Sequence, residues 1–317
     1  MDEDSRSPHR GPPRSLRSNT TPSASLSAPL SASPSCGPTG TSAYNLRSNT
    51  AHSAAPFTAQ QLFLHICNAI LHAEDSKEII CENIAPEIGS LVTVSLANEP
   101  RIERALPRIH FNAASGVLRV LIMPTEIHNV HVQWLKNELW FMTVAQFLSP
   151  PEFLFLELNV GTRFTGFSGV YTGSSKEPDL LLRPDTHGSL PRVIVESGWS
   201  ESWPHLEADK NLWFSGGLDV AYVILLKWTR IANGYVTGLI EVWHRNPAGA
   251  VIQLHREQLF PVPAATVQRD PPITLGELFG PYITPGRNAN TTFNLSLNRL
   301  RALAREKILA MGLTPAT

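Results

Sequence analysis

Two short apolar runs, each adjoining an acidic residue, constrain the fold of this chain more than any other feature. Residues 193–195 are Val-Ile-Val, without polar alternation, and Glu196 follows them directly. Residues 180–182 are three consecutive leucines, and Asp179 precedes them directly. Runs without alternation are typical of strands that are buried on both faces of a sheet. If these two strands are neighbours, Asp179 and Glu196 converge at one edge of that sheet.

A pair of carboxylates at a sheet edge is suited to a hard divalent cation. Mg²⁺ and Mn²⁺ prefer oxygen ligands, and Mg²⁺ keeps several waters when it binds to a protein. A metal ion in this position activates a water molecule and stabilises negative charge on a phosphoryl oxygen. The sequence therefore predicts a Mg²⁺ or Mn²⁺ site with Asp179 and Glu196 as ligands.

The segment after the second acid has the spacing of a helix over residues 203–214, with Ser202 as its N-cap. Lys210 lies near the centre of its apolar face. This lysine either reaches the helix edge or pairs with a core acid such as Glu196, or it lies beside the metal carboxylates and neutralises a phosphate. Its neighbour Asp209 is predicted to be solvated. The apolar face consists of Trp203, Leu206, Trp213 and Phe214.

A long helix is predicted over residues 124–146, before the two buried strands. Its apolar stripe also contains His131 and Glu138. A carboxylate on a packed helix face is costly unless it is paired or bound to a metal. Glu138 is therefore a candidate third metal ligand. The stripe is formed by Ile127, Val130, Trp134, Phe141 and Ala145.

The remaining periodic segments complete the predicted elements. A hairpin with a five-residue loop is predicted over residues 109–122. Further helices are predicted over 58–73, with Thr58 as N-cap, over 77–84 and over 296–311. Further strands are predicted over 153–158, 161–165, 220–226 and 236–244.

Glu177-Pro178-Asp179, followed by Glu196 at the end of an apolar strand, resembles the PD-(D/E)XK (restriction-endonuclease-like) nuclease superfamily. The family pattern has a lysine two residues after the second acid, where this chain has Gly198. Some members carry that lysine on the following helix, and Asp209-Lys210 resembles that arrangement. The resemblance covers residues 107–245, and its central part resembles uncharacterised fungal members, many of them in transposon-associated families.

The resemblance implies an α/β fold with a central mixed sheet flanked by helices. It implies Asp179 and Glu196 as ligands of Mg²⁺ or Mn²⁺ and Lys210 as the displaced catalytic lysine. It also implies an acid on the helix before the sheet, for which Glu138 is the first candidate and Glu126 the second. The expected function is metal-dependent phosphodiester hydrolysis in nucleic acid, with DNA favoured over RNA.

Two departures from the family pattern favour a different class of function. Glycine occupies position 198, and relatives favour His-Glu where this chain has His128-Asn129. The alternative is therefore a catalytically degenerate nuclease-fold protein, of transposon origin, that acts as a binding or interaction module.

Residues 1–56 are rich in Ser, Pro, Thr and Ala, and we predict that they are disordered. The pentapeptide Leu-Arg-Ser-Asn-Thr recurs at 16–20 and 46–50. We interpret it as local duplication, with a docking or localisation motif as the alternative. Residues 57–317 are predicted to form one globular domain, with a nuclease-like core at 107–245 and a C-terminal helical extension at 246–317.

Charge and composition exclude several classes of protein. The formal net charge is -1, and without the five arginines and three acids of residues 1–56 the chain has 21 basic and 24 acidic residues. This balance lacks the basic footprint of non-specific nucleic-acid binding. The three cysteines have no metal-site or disulfide spacing. Since no secretory signal or membrane span is recognisable, we expect an intracellular protein, cytoplasmic or nuclear, and make no prediction of its oligomeric state.

Overall fold

A computed structural model describes Tyr44–Asn45 and residues 58–186, 190–199, 203–265 and 268–317. The chain divides into two units, Met1–Thr41 and Ser42–Thr317, of which the first lies outside the described residues. Apart from Tyr44–Asn45, the tail that was predicted to be disordered also lies outside them. The same holds for both copies of the pentapeptide and for the predicted N-cap Ser202.

The described part of the chain contains both helices and strands. Its helices are α1 (Ala59–Leu71), α2 (Pro86–Ala97), α3 (Pro100–Ala105), α4 (Val130–Val144), α5 (Pro150–Phe155), α6 (Trp203–Gly216), α7 (Leu275–Phe279) and α8 (Leu297–Ala310). Its strands are β1 (Tyr44–Asn45), β2 (Lys77–Cys81), β3 (Arg108–Asn112), β4 (Val117–Ile122), β5 (Leu156–Asn159), β6 (Leu180–Pro184), β7 (Val193–Trp199), β8 (Tyr222–Arg230), β9 (Tyr235–Arg245), β10 (Val251–Phe260), β11 (Pro272–Thr274), β12 (Thr292–Asn294) and β13 (Thr314–Pro315).

The larger sheet is mixed and has the strand order β10-β9-β8-β7-β6-β5, with β13 paired to β9. Strands β5, β6 and β7 form an antiparallel meander, whereas β8 runs parallel to β7. Parallel neighbours need a crossover connection, and α6 provides it. A mixed sheet with helices on its faces confirms the predicted α/β class.

Strand β7 is buried on both faces, as its unbroken apolar run predicts. Val193 and Val195 pack into the core that contains α4 and α8. Ile194 points to the opposite core, where it packs with Leu206 and Trp213 of α6. Full burial of one such aliphatic side chain contributes about 1.5–3 kcal/mol. The two cores therefore fix this strand between two helical layers.

The smaller sheet has the order β1-β2-β4-β3, and α1 and α2 pack against it. The predicted hairpin is confirmed as β3 and β4, and Thr58 caps α1 in a capping box with Gln61. The predicted helix over 77–84 is wrong, because this segment is β2. Its β-branched Ile79 pairs with Val120 of β4, so pairing with a distant strand overrides the local helical spacing.

Four other predicted elements differ from the structure. The strand predicted over 153–158 begins only at residue 156, because a capping box and two prolines start helix α5 at residue 150. The long helix begins at Val130 rather than at residue 124. Residues 161–165 form no strand and contribute only an isolated bridge between Phe164 and Lys176. Residues 246–317 are not simply a helical extension, since β10 and β13 both pair with β9 and extend the larger sheet.

Gly89 of α2 allows the ring of Phe111 to pack against the helix. A Cβ atom at position 89 would lie 2.1 Å from Phe111 Cζ. We expect Gly89→Ala to lower the free energy of unfolding by about 1–3 kcal/mol, because the buried ring of Phe111 must shift from its packed position to avoid the added methyl group. Urea denaturation measures this change, with Gly166→Ala as the control because nothing lies within 4 Å of its added Cβ. Equal stability of the two variants would contradict the packing of α2 on Phe111.

Candidate functional site

Strand pairing brings the two predicted acids together. Leu180 of β6 lies opposite Val195 of β7 in the antiparallel register, so Asp179 and Glu196 occupy the next pair of opposite positions. The backbone N–H of Ser197 donates a hydrogen bond of 2.7 Å to Asp179 Oδ2. The prediction that these two strands are neighbours is confirmed. Both acids lie just beyond the same end of the paired segment.

Asp179 is surrounded by donors from β3 and the start of α4. Arg108 forms an ion pair with Asp179 Oδ1, and His128 Nε2 lies 3.5 Å from Oδ2. His131 Nε2 donates to the backbone carbonyl of Asp179 at 3.2 Å. Burial lowers the pKa of both imidazoles, to about 3 for His131, and the charge of Arg108 lowers them further. Both histidines are therefore neutral at pH 7, and Arg108 supplies the positive charge beside Asp179.

Glu196 has two donors from two different elements. The Trp213 Nε1–H of α6 donates to Glu196 Oε1 at 2.6 Å, and Lys176 Nζ lies 3.1 Å from Oε2. Burial raises the pKa of Glu196, while Lys176 lowers it and Asp209 raises it, with a net rise. The orientation of this carboxylate is fixed by the indole, and its charge is balanced by the lysine.

Lys176 is the functional candidate that the sequence analysis missed. Its side chain is 2% exposed, and Nζ lies 2.7 Å from Asp209 Oδ2 as well as 3.1 Å from Glu196. Burial lowers the pKa of Lys176, but Asp209 and Glu196 outweigh burial and raise it. Backbone hydrogen bonds between Ser175 and Phe111 hold this segment against β3. Its position directly before the Glu-Pro-Asp motif is the sequence signal that could have identified it.

The charged cluster continues onto the smaller sheet. Arg119 of β4 contacts Asp209 at 2.9 Å and Glu78 at 2.7 Å, and Arg163 contacts Glu177 at 2.6 Å. Asp209 is buried, so its predicted solvation is wrong, because α6 turns this residue toward Lys176 and β4. We call this set the ionic cluster. It consists of Glu78, Arg108, Arg119, Arg163, Lys176, Glu177, Asp179, Glu196 and Asp209.

Lys210 has a different environment from Lys176. Its Nζ lies 3.7 Å from the centroid of the Trp243 ring, which is the geometry of a cation–π contact. Burial lowers the pKa of Lys210, and Glu207 and Glu241 oppose that change. Among the contacts of the described residues, none joins Lys210 to Asp179 or Glu196. Its catalytic role stays a prediction.

Glu138 lies on the packed face of α4, as predicted, and is fully buried. It accepts hydrogen bonds from Arg299 Nε at 2.7 Å and from the backbone N–H of Ser296 at 3.1 Å, which tie α4 to α8. The second candidate, Glu126, pairs with Lys307 at 2.7 Å on the surface. Within the part of the chain that the structure describes, no three His, Cys, Asp or Glu side chains are grouped to hold a metal ion. The structure therefore does not bring Glu138 to the two strand acids.

We expect Glu138→Ala to lower the free energy of unfolding by about 2–3 kcal/mol. The substitution removes the acceptor of the Arg299 side chain and of the Ser296 N–H at the start of α8. Glu126→Ala is the matched control, since its ion pair also reaches α8 but is exposed, and we expect less than about 1 kcal/mol. Chemical denaturation of both variants measures the difference. Losses of the same size would contradict a buried tie through Glu138.

A cavity of about 130 Å³ lies beside the ionic cluster, between the β3–β4 hairpin and α6. Lys176 and Asp209 form part of its wall, so it adjoins the partners of Glu196. In this position, part of a ligand could reach the cluster.

No helix among the described residues is long and apolar enough to cross a membrane. Comparison of the chain with known proteins gave no significant match to a protein-family model, to a curated protein or to a solved structure.

Proposed function

We propose that this chain is a Mg²⁺- or Mn²⁺-dependent phosphodiesterase that acts on nucleic acid, with DNA favoured over RNA. The observation that carries the proposal is the pairing of β6 with β7, which brings Asp179, directly before β6, close to Glu196 of β7, with buried Lys176 on Glu196. Buried ionisable groups with several charged partners are typical of functional sites. The proposal includes an intracellular location, cytoplasmic or nuclear.

We further propose that the larger sheet is a restriction-endonuclease-like core. Three features support this fold: α4 precedes the sheet, the two acids lie on adjacent strands, and α6 connects the second of these strands to β8. The resemblance of residues 107–245 implies the same order of elements. Because fold alone does not establish an activity, the catalytic proposal depends on the side chains.

The donor set of the site is compatible with a hard divalent cation. Each carboxylate has about four lone-pair positions, and the hydrogen bonds and ion pairs of Asp179 and Glu196 leave some of them open. Mg²⁺ is commonly held by one or two carboxylates together with waters and substrate phosphates, so these two residues suffice. When bound, the ion would supply water activation and charge stabilisation at the phosphoryl group.

The surrounding residues orient and neutralise these acids. Arg108 and the Ser197 N–H hold the Asp179 carboxylate, and Trp213 holds that of Glu196. Lys176 provides a fixed positive charge beside Glu196, where it balances the charge of this buried carboxylate. We therefore propose Lys176 as the lysine of this site, with Lys210 as the alternative from the sequence.

One observation favours the second candidate, a nuclease-fold binding module without catalysis. All four carboxylate oxygens of Asp179 and Glu196 already have donors from the protein. A cluster satisfied in this way is stable without a metal ion. In that case the ionic cluster fixes the packing of the two sheets, and the chain acts through its surface.

A cleavage assay tests the proposal. The full chain is incubated with supercoiled plasmid, single-stranded DNA and RNA, in Mg²⁺, in Mn²⁺ and in EDTA. We expect cleavage with a metal and none in EDTA, and we expect Lys176→Ala to lose activity that Lys210→Ala retains. Loss in Lys210→Ala alone would assign the lysine to α6. No cleavage of any substrate by the folded wild type would refute the enzyme and leave the binding module.

A further inference from the structure

The cavity beside the ionic cluster has the character of a ligand pocket. Its wall extends from Ser115, which is exposed on the β3–β4 turn, to Lys176, which is buried. Phe111 and Leu212 supply apolar surface on opposite elements. Small-molecule sites combine apolar walls with a few polar groups that fix orientation, and this cavity has both.

The size of the cavity matches one aromatic ring. Its volume is about 130 Å³, and an engineered apolar cavity of roughly 150 Å³ in another protein binds benzene. A fused two-ring system needs more space than a single ring of that size. A planar six-membered ring is therefore the ligand shape that fits best.

Two histidines of the wall provide polar groups without charge. His110 Nδ1 accepts a hydrogen bond of 3.3 Å from the Glu177 N–H, so the proton of this imidazole is on Nε2. Burial lowers the pKa of His110, and nearby cations lower it further. Burial also lowers the pKa of His205, with Arg119 acting in the same direction and Glu78, Asp209 and Glu82 opposing it. His205 Nδ1 is buried and has no hydrogen-bond partner among the residues that the structure describes. The wall therefore contains a donor, the His110 Nε2–H, and a nitrogen without a partner, His205 Nδ1. A heterocycle with C=O and N–H groups can form hydrogen bonds with such a pair.

The charges of the wall argue against an anion. Arg119 already contacts Glu78 and Asp209, and Lys176 already contacts Glu196 and Asp209. These two cations thus share three carboxylates, and a phosphate would add further negative charge to the group. A neutral ring avoids that repulsion.

We infer that this cavity binds a single pyrimidine ring, as the base of a nucleotide next to the cleaved phosphodiester. The inference rests on the proposed action on nucleic acid, because the ring lies beside Lys176, which contacts Glu196, and beside Asp209, which contacts Lys176. A base that leaves its stack is held by apolar walls and by hydrogen bonds to its edge. A preference for pyrimidine next to the cleavage position follows.

Binding is measured in EDTA, so the test does not depend on cleavage. Thymidine, uridine and cytidine are titrated into the full chain, with adenosine and guanosine as the larger rings. Hexamers of dT and dA form a second arm, which separates a base in a polynucleotide from a free nucleoside. We expect the pyrimidine ligands to bind at least about tenfold more tightly than the purine ligands, a difference of about 1.4 kcal/mol.

Substitutions that fill the cavity should remove this selectivity. Ala208→Leu adds bulk to the wall on α6, and Ser115→Trp adds it at the exposed rim, where folding is not at risk. The control is Ala302→Leu, the same change at an exposed position of α8. We expect both cavity variants to weaken pyrimidine binding at least about tenfold, and the control to bind as the wild type does.

If pyrimidine selectivity is seen only with the hexamers, the cavity binds a base that belongs to a polynucleotide. If it is seen with both the hexamers and the nucleosides, the cavity binds the base from either source. Equal binding of both ring sizes overturns the inference, as does unchanged binding by the two cavity variants. The same holds for wild type that binds neither thymidine nor the dT hexamer. If that wild type still cleaves DNA, the pyrimidine pocket is refuted while the proposed function stands.

Discussion

Lys176→Met is expected to lower the free energy of unfolding by about 3–5 kcal/mol at pH 7, the usual cost of removing one partner from a buried ion pair. Methionine keeps much of the length and apolar surface of the lysine but removes its charge. Glu196 and Asp209 then remain buried, with Trp213 and Arg119 as their other partners. Urea denaturation at pH 7 measures the loss.

The loss should depend on pH with a definite sign. Burial already raises the pKa of Glu196 in the wild type, and Lys176 opposes that rise, so the variant raises the pKa further. A carboxyl group whose folded pKa is raised favours the folded state below its unfolded pKa, near 4.5, and that advantage is lost as pH rises through the folded pKa. The difference between variant and wild type is therefore smallest near pH 4 and grows toward neutral pH.

Lys210→Met is the matched control for this prediction. Lys210 is also buried, but it contacts the ring of Trp243 rather than a buried acid, and a cation–π contact contributes about 0.5–2 kcal/mol. We expect its loss to be small and independent of pH between 4 and 8. Equal losses in the two variants, or a loss in Lys176→Met that does not change with pH, would contradict the ion pairs of Lys176.

Glu196→Gln is expected to lower the rate of metal-dependent cleavage by about 10³-fold, which corresponds to about 4 kcal/mol of barrier. Glutamine keeps the shape of the side chain and an acceptor for the Trp213 N–H, but it lacks the charge that a divalent cation requires. Asp179→Asn makes the same change on the neighbouring strand, and we expect a loss of similar size.

The control for these variants is Glu126→Gln, an acid of equal charge that is exposed and pairs with Lys307. Its cleavage rate should stay within about twofold of wild type, since surface substitutions away from a site have small effects. Thermal unfolding of each variant separates loss of chemistry from loss of fold. Wild-type rates in folded Glu196→Gln would remove Glu196 from the proposed site.

Local sequence patterns predicted the central strands and helix of the fold, but they did not predict the ion-pair partners of its buried charged residues. The apolar runs of β6 and β7 and the helical spacing of α6 are properties of short segments, and all three elements are present. The partners of Asp209 are not local: Arg119 is 90 residues away and Lys176 is 33 residues away. Solvation of Asp209 was predicted from its angle on the helix, which says nothing about a second sheet on that side.

Glu138 shows the same limit, although in this case the burial of the acid was predicted correctly. Helical periodicity predicted that its carboxylate faces a packed surface, and it is fully buried. Its partner Arg299 lies 161 residues further along the chain, and no spacing rule connects them. Periodicity predicts which side of an element is buried, whereas the identity of a buried acid's partner depends on tertiary packing.

Calorimetric titration of Mn²⁺ into the full chain tests the proposed Asp179–Glu196 site most directly. We expect binding at one site in wild type, at least about tenfold weaker binding in Asp179→Asn and Glu196→Gln, and unchanged binding in Glu138→Gln, whose carboxylate is committed to Arg299. No binding by folded wild type, or equal binding by wild type and the two strand variants, would contradict a metal site at Asp179 and Glu196.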